Sequence, residues 1–141
     1  MTIRVKTKRI NKSRILLSKY ERQVKNIIEA GANDVRNTAV QSIQQHGSAG
    51  VTYTKYNPKR THTASAPGSP PNSDTGYLAN NIYVEIATDG LSADVESRAE
   101  YSEYLEFGTS KMRARPFMQP ALEENRPKIR SRFARLKSRG A

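Results

Sequence analysis

The chain has no cysteine. Disulfides and thiolate zinc sites are therefore excluded, which agrees with assembly in a reducing cytoplasm. Long apolar runs are missing too. No stretch approaches the roughly eighteen apolar residues that a membrane-spanning helix needs, so no membrane partner is expected. The basic N-terminus lacks the apolar run of a signal peptide. Large apolar residues are scarce: Leu, Ile, Val and Phe number 26 of 141 residues. Combined with a formal net charge of +11, that places the chain near the composition of disordered sequences. The length suits one domain with a small core.

The charge is segregated. Residues 1–30 hold nine Lys/Arg and two Glu (+7), residues 109–141 hold ten and two (+8), and residues 31–108 hold five basic and nine acidic residues (−4). Two readings follow. The basic ends face an acidic or nucleic-acid partner, or the end of one subunit meets the acidic middle of the next.

Local periodicity argues for a folded chain. Residues 1–12 form a basic arm or an edge strand, alternating around Ile3, Val5 and Thr7. Residues 14–46 space Leu17, Tyr20, Val24, Ile27, Ile28, Val35, Ala39 and Ile43 mostly three or four apart, the stripe of one long helix ended near Gly47. Gly31 interrupts its middle, marking a bend or the close approach of a neighbouring element. Residues 47–76 are rich in Pro, Gly, Ser and Thr and read as an extended loop, with a possible short strand or hairpin arm at 51–56. Residues 77–98 read as a β-hairpin, alternating around Ile82, Val84 and Ile86, turning at Asp89-Gly90, then alternating around Leu91, Ala93 and Val95. Residues 99–117 read as a short helix with an aromatic face followed by a basic loop. A basic helix at 118–138 closes the chain. Pro116 or Pro120 opens it, and Pro127 is expected to kink or divide it. The predicted fold is α+β: a long N-terminal helix packed on a small antiparallel sheet with a β-hairpin, plus a C-terminal basic helix, in a single domain.

The candidate chemistry is thin. Asp74-Thr75-Gly76 matches the triplet of aspartic proteases, but it follows a loop of prolines where those enzymes need an apolar strand, and a second aspartate would be required. A turn is the simpler reading. His46 and His62 have no cysteine partners for a metal site. Gly108-Thr109-Ser110-Lys111 lacks the earlier glycine of a phosphate loop. No catalytic residue, cofactor or metal is expected, and no enzyme activity. The basic helix carries Arg126, Lys128, Arg130, Arg132 and Arg135. These form a solvated face, or contact an acidic protein surface, or contact the phosphate backbone of DNA, which needs only Lys and Arg.

Two strings carry more information: SAPGSPPNSDTGYLANNI (65–82) and YSEYLEFGTSKMRARPFMQPALEE (101–124). In this order, with a hairpin between them, they resemble the siphophage neck or tail-component family, the gene-product-ten-like proteins of lambdoid-type phages, distantly similar to the lambda minor tail protein Z. The resemblance covers about 65–124; the helices on either side match in layout only. It implies a structural virion protein, assembled in the host cytoplasm, whose small α+β subunits form a ring, expected to be a hexamer, at the head–tail junction or upper tail. Such a ring joins the tail to the DNA-filled head as a neck, connector or tail-completion protein. The alternatives are a tail-terminator ring capping the tail tube and a basic nucleic-acid-binding protein. The implied partners are copies of itself, adjacent head-closure, tail-terminator or tail-tube proteins, and packaged DNA in the channel.

Within these strings, Arg115-Pro116-Phe117 offers a restrained guanidinium beside an anchored aromatic, a pair suited to interfaces. Glu106 is expected to pair with Arg113 or Arg115, in the same or an adjacent subunit. In the competing reading, Phe107 and Phe117 are core residues fixing the loop. The interface candidates are Asp74, Tyr104, Glu106, Phe107, Lys111, Arg113, Arg115 and Phe117.

Overall fold

The computed structural model describes residues 1–6, 14–45, 52–56, 59–65, 68–72 and 75–139. Its elements are β1 (Thr2–Lys6), α1 (Arg14–Gln44), β2 (Thr52–Tyr56), β3 (Lys59–Thr63), α2 (Tyr77–Asn80), β4 (Ile82–Ile86), β5 (Ser92–Ser97), α3 (Ser102–Phe107) and α4 (Met118–Arg139). The fold is α+β, with the long helix on a three-stranded antiparallel sheet ordered β1-β5-β4. α4 packs along α1 and also touches β1.

The stripe on α1 forms this arrangement. Ile28, Ala32, Val35, Ala39 and Ile43, at gaps of three and four, are fully buried. They meet Val5, Ile82, Ala93 and Val95 from the inner sheet face. Each large aliphatic buried in this way contributes roughly 1.5–3 kcal/mol. Ala32 extends the stripe read from sequence; Leu17 lies outside the residues whose side-chain surroundings are described.

Gly31 is where α4 comes closest. A Cβ there would sit 2.9 Å from Ile129 Cγ1 and 3.0 Å from its Cδ1. Gly31→Ala would gain about 1 kcal/mol of helix propensity but overpack the seam by roughly 1–3 kcal/mol. A net loss near 1 kcal/mol is expected, lowering the melting temperature by about 3 °C. A melting temperature raised above the parent would refute the close-approach account. Polar contacts reinforce the same seam. Buried Asn125 donates through Nδ2 to Thr38 Oγ1 (2.8 Å) and to Ala121 O (2.8 Å). Arg132 pairs with Asp34 at 2.8 Å.

The outer sheet face is charged. Glu85 stands opposite Asp94, a like-charge pair that is unfavourable by itself. Two cations resolve it: Arg4 Nε donates to Asp94 Oδ1 (2.6 Å) and Arg98 Nη2 to Glu85 Oε1 (2.9 Å). The Arg98 guanidinium also lies 4.2 Å over the Tyr83 ring. The hydrogen bond from Arg4 holds the Asp94 carboxyl below its ordinary value. A depressed folded pKa stabilises the fold above the ordinary carboxylate range, near about 4, and that contribution is lost as pH falls through the folded value. Arg4→Ala should therefore move the Asp94 titration midpoint upward in a carbon-detected NMR titration. An unmoved midpoint would show that the pair does not act this way.

Three sequence expectations need correction. Residues 47–76 are not one extended loop: Thr52–Tyr56, within the segment read as a strand or hairpin arm, pairs with Lys59–Thr63 as an antiparallel hairpin, and only the second strand is unforeseen. The segment 77–98 is more than a hairpin: Gly76, at φ 80°, turns the chain into the single-turn α2, which buries Leu78 and Ala79 before β4 begins. Pro127 does not divide α4, which runs through it as one helix from Met118 to Arg139. Pro127 and Glu123, whose carbonyl would have been its partner, both lie on the exposed side. Water there can satisfy the freed carbonyl, so the usual penalty of an interior proline is softened.

Candidate assembly surface

Glu106 organises the region between α3 and α4. It is only 6% exposed, and its carboxylate accepts three backbone N–H groups: Phe117 (2.8 Å), Met118 (3.0 Å) and Gln119 (2.8 Å). These are the donors that the start of α4 leaves without an intrahelical acceptor. The next residue, Pro120, has no N–H to satisfy. The first turn of α4 is thus fully accounted for, and the negative carboxylate sits at the positive end of the helix dipole.

Gly108 makes that capping possible. It adopts φ 76° and ψ 176°, a region open to glycine almost alone. A Cβ would meet Ala114 N at 2.8 Å and Met112 O at 2.9 Å. The chain then closes a tight turn in which Thr109 N donates to Met112 O (2.8 Å), and Thr109 Oγ1 accepts the N–H groups of Lys111 (3.2 Å) and Met112 (3.1 Å). The residues that faintly resemble a phosphate loop are therefore a closed turn whose amides are largely engaged internally. Arg115 N donates to Leu105 O at 2.6 Å, fastening the returning strand to α3. Gly68 N donates to Ala114 O at 3.0 Å, and the rings of Tyr77 and Tyr101 lie 6.2 Å apart. The two strings singled out in the sequence are neighbours in space.

What this scaffold presents is aromatic. Ser102 and Glu106 fix the buried side of α3. Its other side shows Tyr104, 60% exposed, and Phe107, 75% exposed, beside the exposed Tyr77 and Tyr101. Lys111 and Arg113 are exposed next to it in the turn. Arg115 is half-buried, and its Nε is buried without a hydrogen-bond partner.

The remaining candidates fall elsewhere. Within the chain, both oxygens of Glu106 accept α4 amides, so the carboxylate is turned to them rather than to Arg113 or Arg115. Phe117 is a core residue, 1% exposed, so neither Glu106 nor Phe117 is surface available to a partner. Asp74 lies outside the described residues. On α4, Arg126 pairs with Glu123 at 3.0 Å and Arg132 with Asp34, while Arg135 is engaged as well. Lys128 and Arg130 are exposed. Sequence reasoning missed the capping role of Glu106. The signal was available: an acidic residue shortly before a Pro-Phe-x-x-Pro helix start.

Among the described residues, no group of His, Cys, Asp and Glu is placed to hold a metal, and no helix is long and apolar enough to cross a membrane. A depression of about 350 Å³ between α1 and α4 is lined by Tyr20, Gln23, Asn26, Ile27, Arg132 and Leu136. Its walls are mostly apolar, and Arg132 is already paired.

The fold and surface define a small α+β domain whose closed turn displays an aromatic patch. The family model described as "Bacteriophage HK97-gp10, putative tail-component" matches residues 9–108, and the chain belongs to this HK97-gp10-like family. It is a structural component of a phage tail. The matched span takes in the whole of α1 and ends at Gly108, before the Ala114-to-Phe117 string. No curated protein and no solved structure matches the chain.

Proposed function

We propose that the chain is the subunit of an oligomeric ring at the head–tail interface of a tailed phage, a neck or tail-completion component joining the tail to the DNA-filled head. The observation that carries this reading is the aromatic patch on α3. Phe107 and Tyr104 are held outward by a scaffold that devotes Glu106, Gly108 and Pro120 to fixing the turn. Large aromatics on a rigid support are the anchors that protein interfaces favour, and rigidity lowers the ordering cost of association. Membership of a tail-component family supports a virion location. Partners above and below the ring are adjacent head-closure, tail-terminator or tail-tube proteins. The exposed Lys128 and Arg130 favour a further contact of α4 with packaged DNA or an acidic protein surface.

Native mass spectrometry of the purified protein tests the ring directly. A single closed stoichiometry, expected to be six, supports it. A monomer at every concentration, or an open-ended series of sizes, would reject it.

A further inference from the structure

The β2–β3 hairpin and the edge of the main sheet each lack something the other supplies. Among the described residues, β2 and β3 form a two-stranded sheet of their own, and Thr52, Thr54, Tyr56 and Lys59 on them are exposed. An isolated two-stranded hairpin is marginal in water and gains stability from a third strand.

The main sheet has such a place. β4 is its edge strand. Ala87 N donates inward to Ser92 O (2.9 Å), while Ile82 O accepts Arg36 Nε (2.8 Å) from outside the sheet. The two-residue alternation of an antiparallel ladder then turns the N–H and C=O groups of Val84 and Ile86 away from β5. Among the described residues, the hydrogen bond from Arg36 covers the edge at Ile82. The opposite edge, β1, carries the exposed Arg4 and Lys6, charges of the kind that discourage strand addition. β4 instead presents an exposed isoleucine, Ile86.

Charge matches the two pieces. Residues 52–63 contain Lys55, Lys59 and Arg60 and no acid, whereas residues 82–98 set Glu85, Asp89, Asp94 and Glu96 against Arg98 alone. Arg98 pairs with Glu85 and Glu96, and Arg4 from β1 pairs with Asp94, so the acceptor's acidic excess is reduced but keeps its sign. Complementary potentials steer association and fix register.

We propose that the β2–β3 hairpin of one subunit adds through β2 to the free edge of β4 in a second copy, extending the three-stranded sheet across the subunit boundary. β2 is taken as the joining strand because its sequence has the strong strand formers Thr52, Tyr53 and Thr54, while the sequence of β3 begins with the adjacent cations Lys59-Arg60, charges of the kind that discourage strand addition. The donating and accepting surfaces differ, so the contact runs head to tail, the arrangement that closes into a ring when the rotation permits. This inference rests on the ring reading above and supplies its main-chain contact.

The absence of cysteine makes the test clean. Full-length protein carrying Thr54→Cys and Ile86→Cys is treated in native form with a short bismaleimide and resolved by denaturing electrophoresis. A ladder of covalent multimers ending at one size is expected, with single-cysteine variants giving no ladder. Adding Ile86→Lys in place of the cysteine should reduce assembly at least tenfold in concentration dependence, with an unchanged circular dichroism spectrum. Links confined within one chain would overturn the exchange. A discrete oligomer that does not cross-link would overturn it while leaving the ring intact, whereas a protein monomeric at every concentration would remove both.

Discussion

Glu106→Ala is expected to lower the melting temperature by about 10–15 °C. The side chain accepts three N–H groups at the start of α4, and the residues of two of them, Phe117 and Met118, are in the core. A buried donor left without an acceptor costs roughly 1–3 kcal/mol, and loss of the charge at the helix terminus removes up to about 2 kcal/mol more. Partial access of water lowers the sum to an expected 3–5 kcal/mol, and a chain of this size loses about 3 °C per kcal/mol. Glu106→Gln should fall between the two, because one carbonyl oxygen remains while the amide turns a donor towards a backbone donor. Thermal unfolding followed by circular dichroism checks the order. A shift under 2 °C for the alanine variant would mean that α4 does not depend on this cap.

The second large effect is on association rather than stability. Tyr104→Ser combined with Phe107→Ser should weaken self-assembly about a thousandfold, the consequence of removing two anchors of roughly 2 kcal/mol each. The melting temperature of the subunit should stay within about 2 °C of the parent, because both rings are mostly exposed and surface substitutions change stability little. Sedimentation velocity over a dilution series separates these effects. Lys128→Ala on α4, far along the chain from the patch, serves as a comparison and should leave assembly within about threefold. Unaltered assembly in the aromatic double variant, or a large fall in melting temperature with it, would assign these side chains to another role.

Much of the fold is legible in the sequence because its signals are local. The 3.6-residue spacing from Ile28 to Ile43 needs no partner to be read as a buried helix face, and the alternation flanking Asp89-Gly90 gives β4 and β5 with their turn. The β2–β3 hairpin is harder to read. Thr61, His62 and Thr63 are polar, so no apolar alternation marks the second strand. α2 is a single turn whose reason for existing, burial of Leu78 and Ala79 on α1, is tertiary.

The candidate surface was half legible. The E-F-G and R-P-F strings identify the right segment, but residue type alone misassigns the roles within it. Glu106 looks like an ion-pair partner and is a helix cap. Phe107 and Phe117 look alike, yet one is a core residue and the other projects into solvent. The distinction depends on the positive φ of Gly108 and on the reach of Glu106 across to α4, long-range geometry that no spacing rule contains. The same geometry explains why acid, glycine and proline stand at these intervals: together they leave no amide of the α4 first turn without a partner.

The most direct test of the ring reading is an electron cryomicroscopy map of the intact head–tail junction of the phage that carries this protein. The expected result is a closed ring into which the subunit fits with α3 turned to its neighbour, so that Phe107 and Tyr104 are covered between copies. A junction and upper tail without density for this subunit, or a ring in which the α3 aromatics face open solvent, would contradict it.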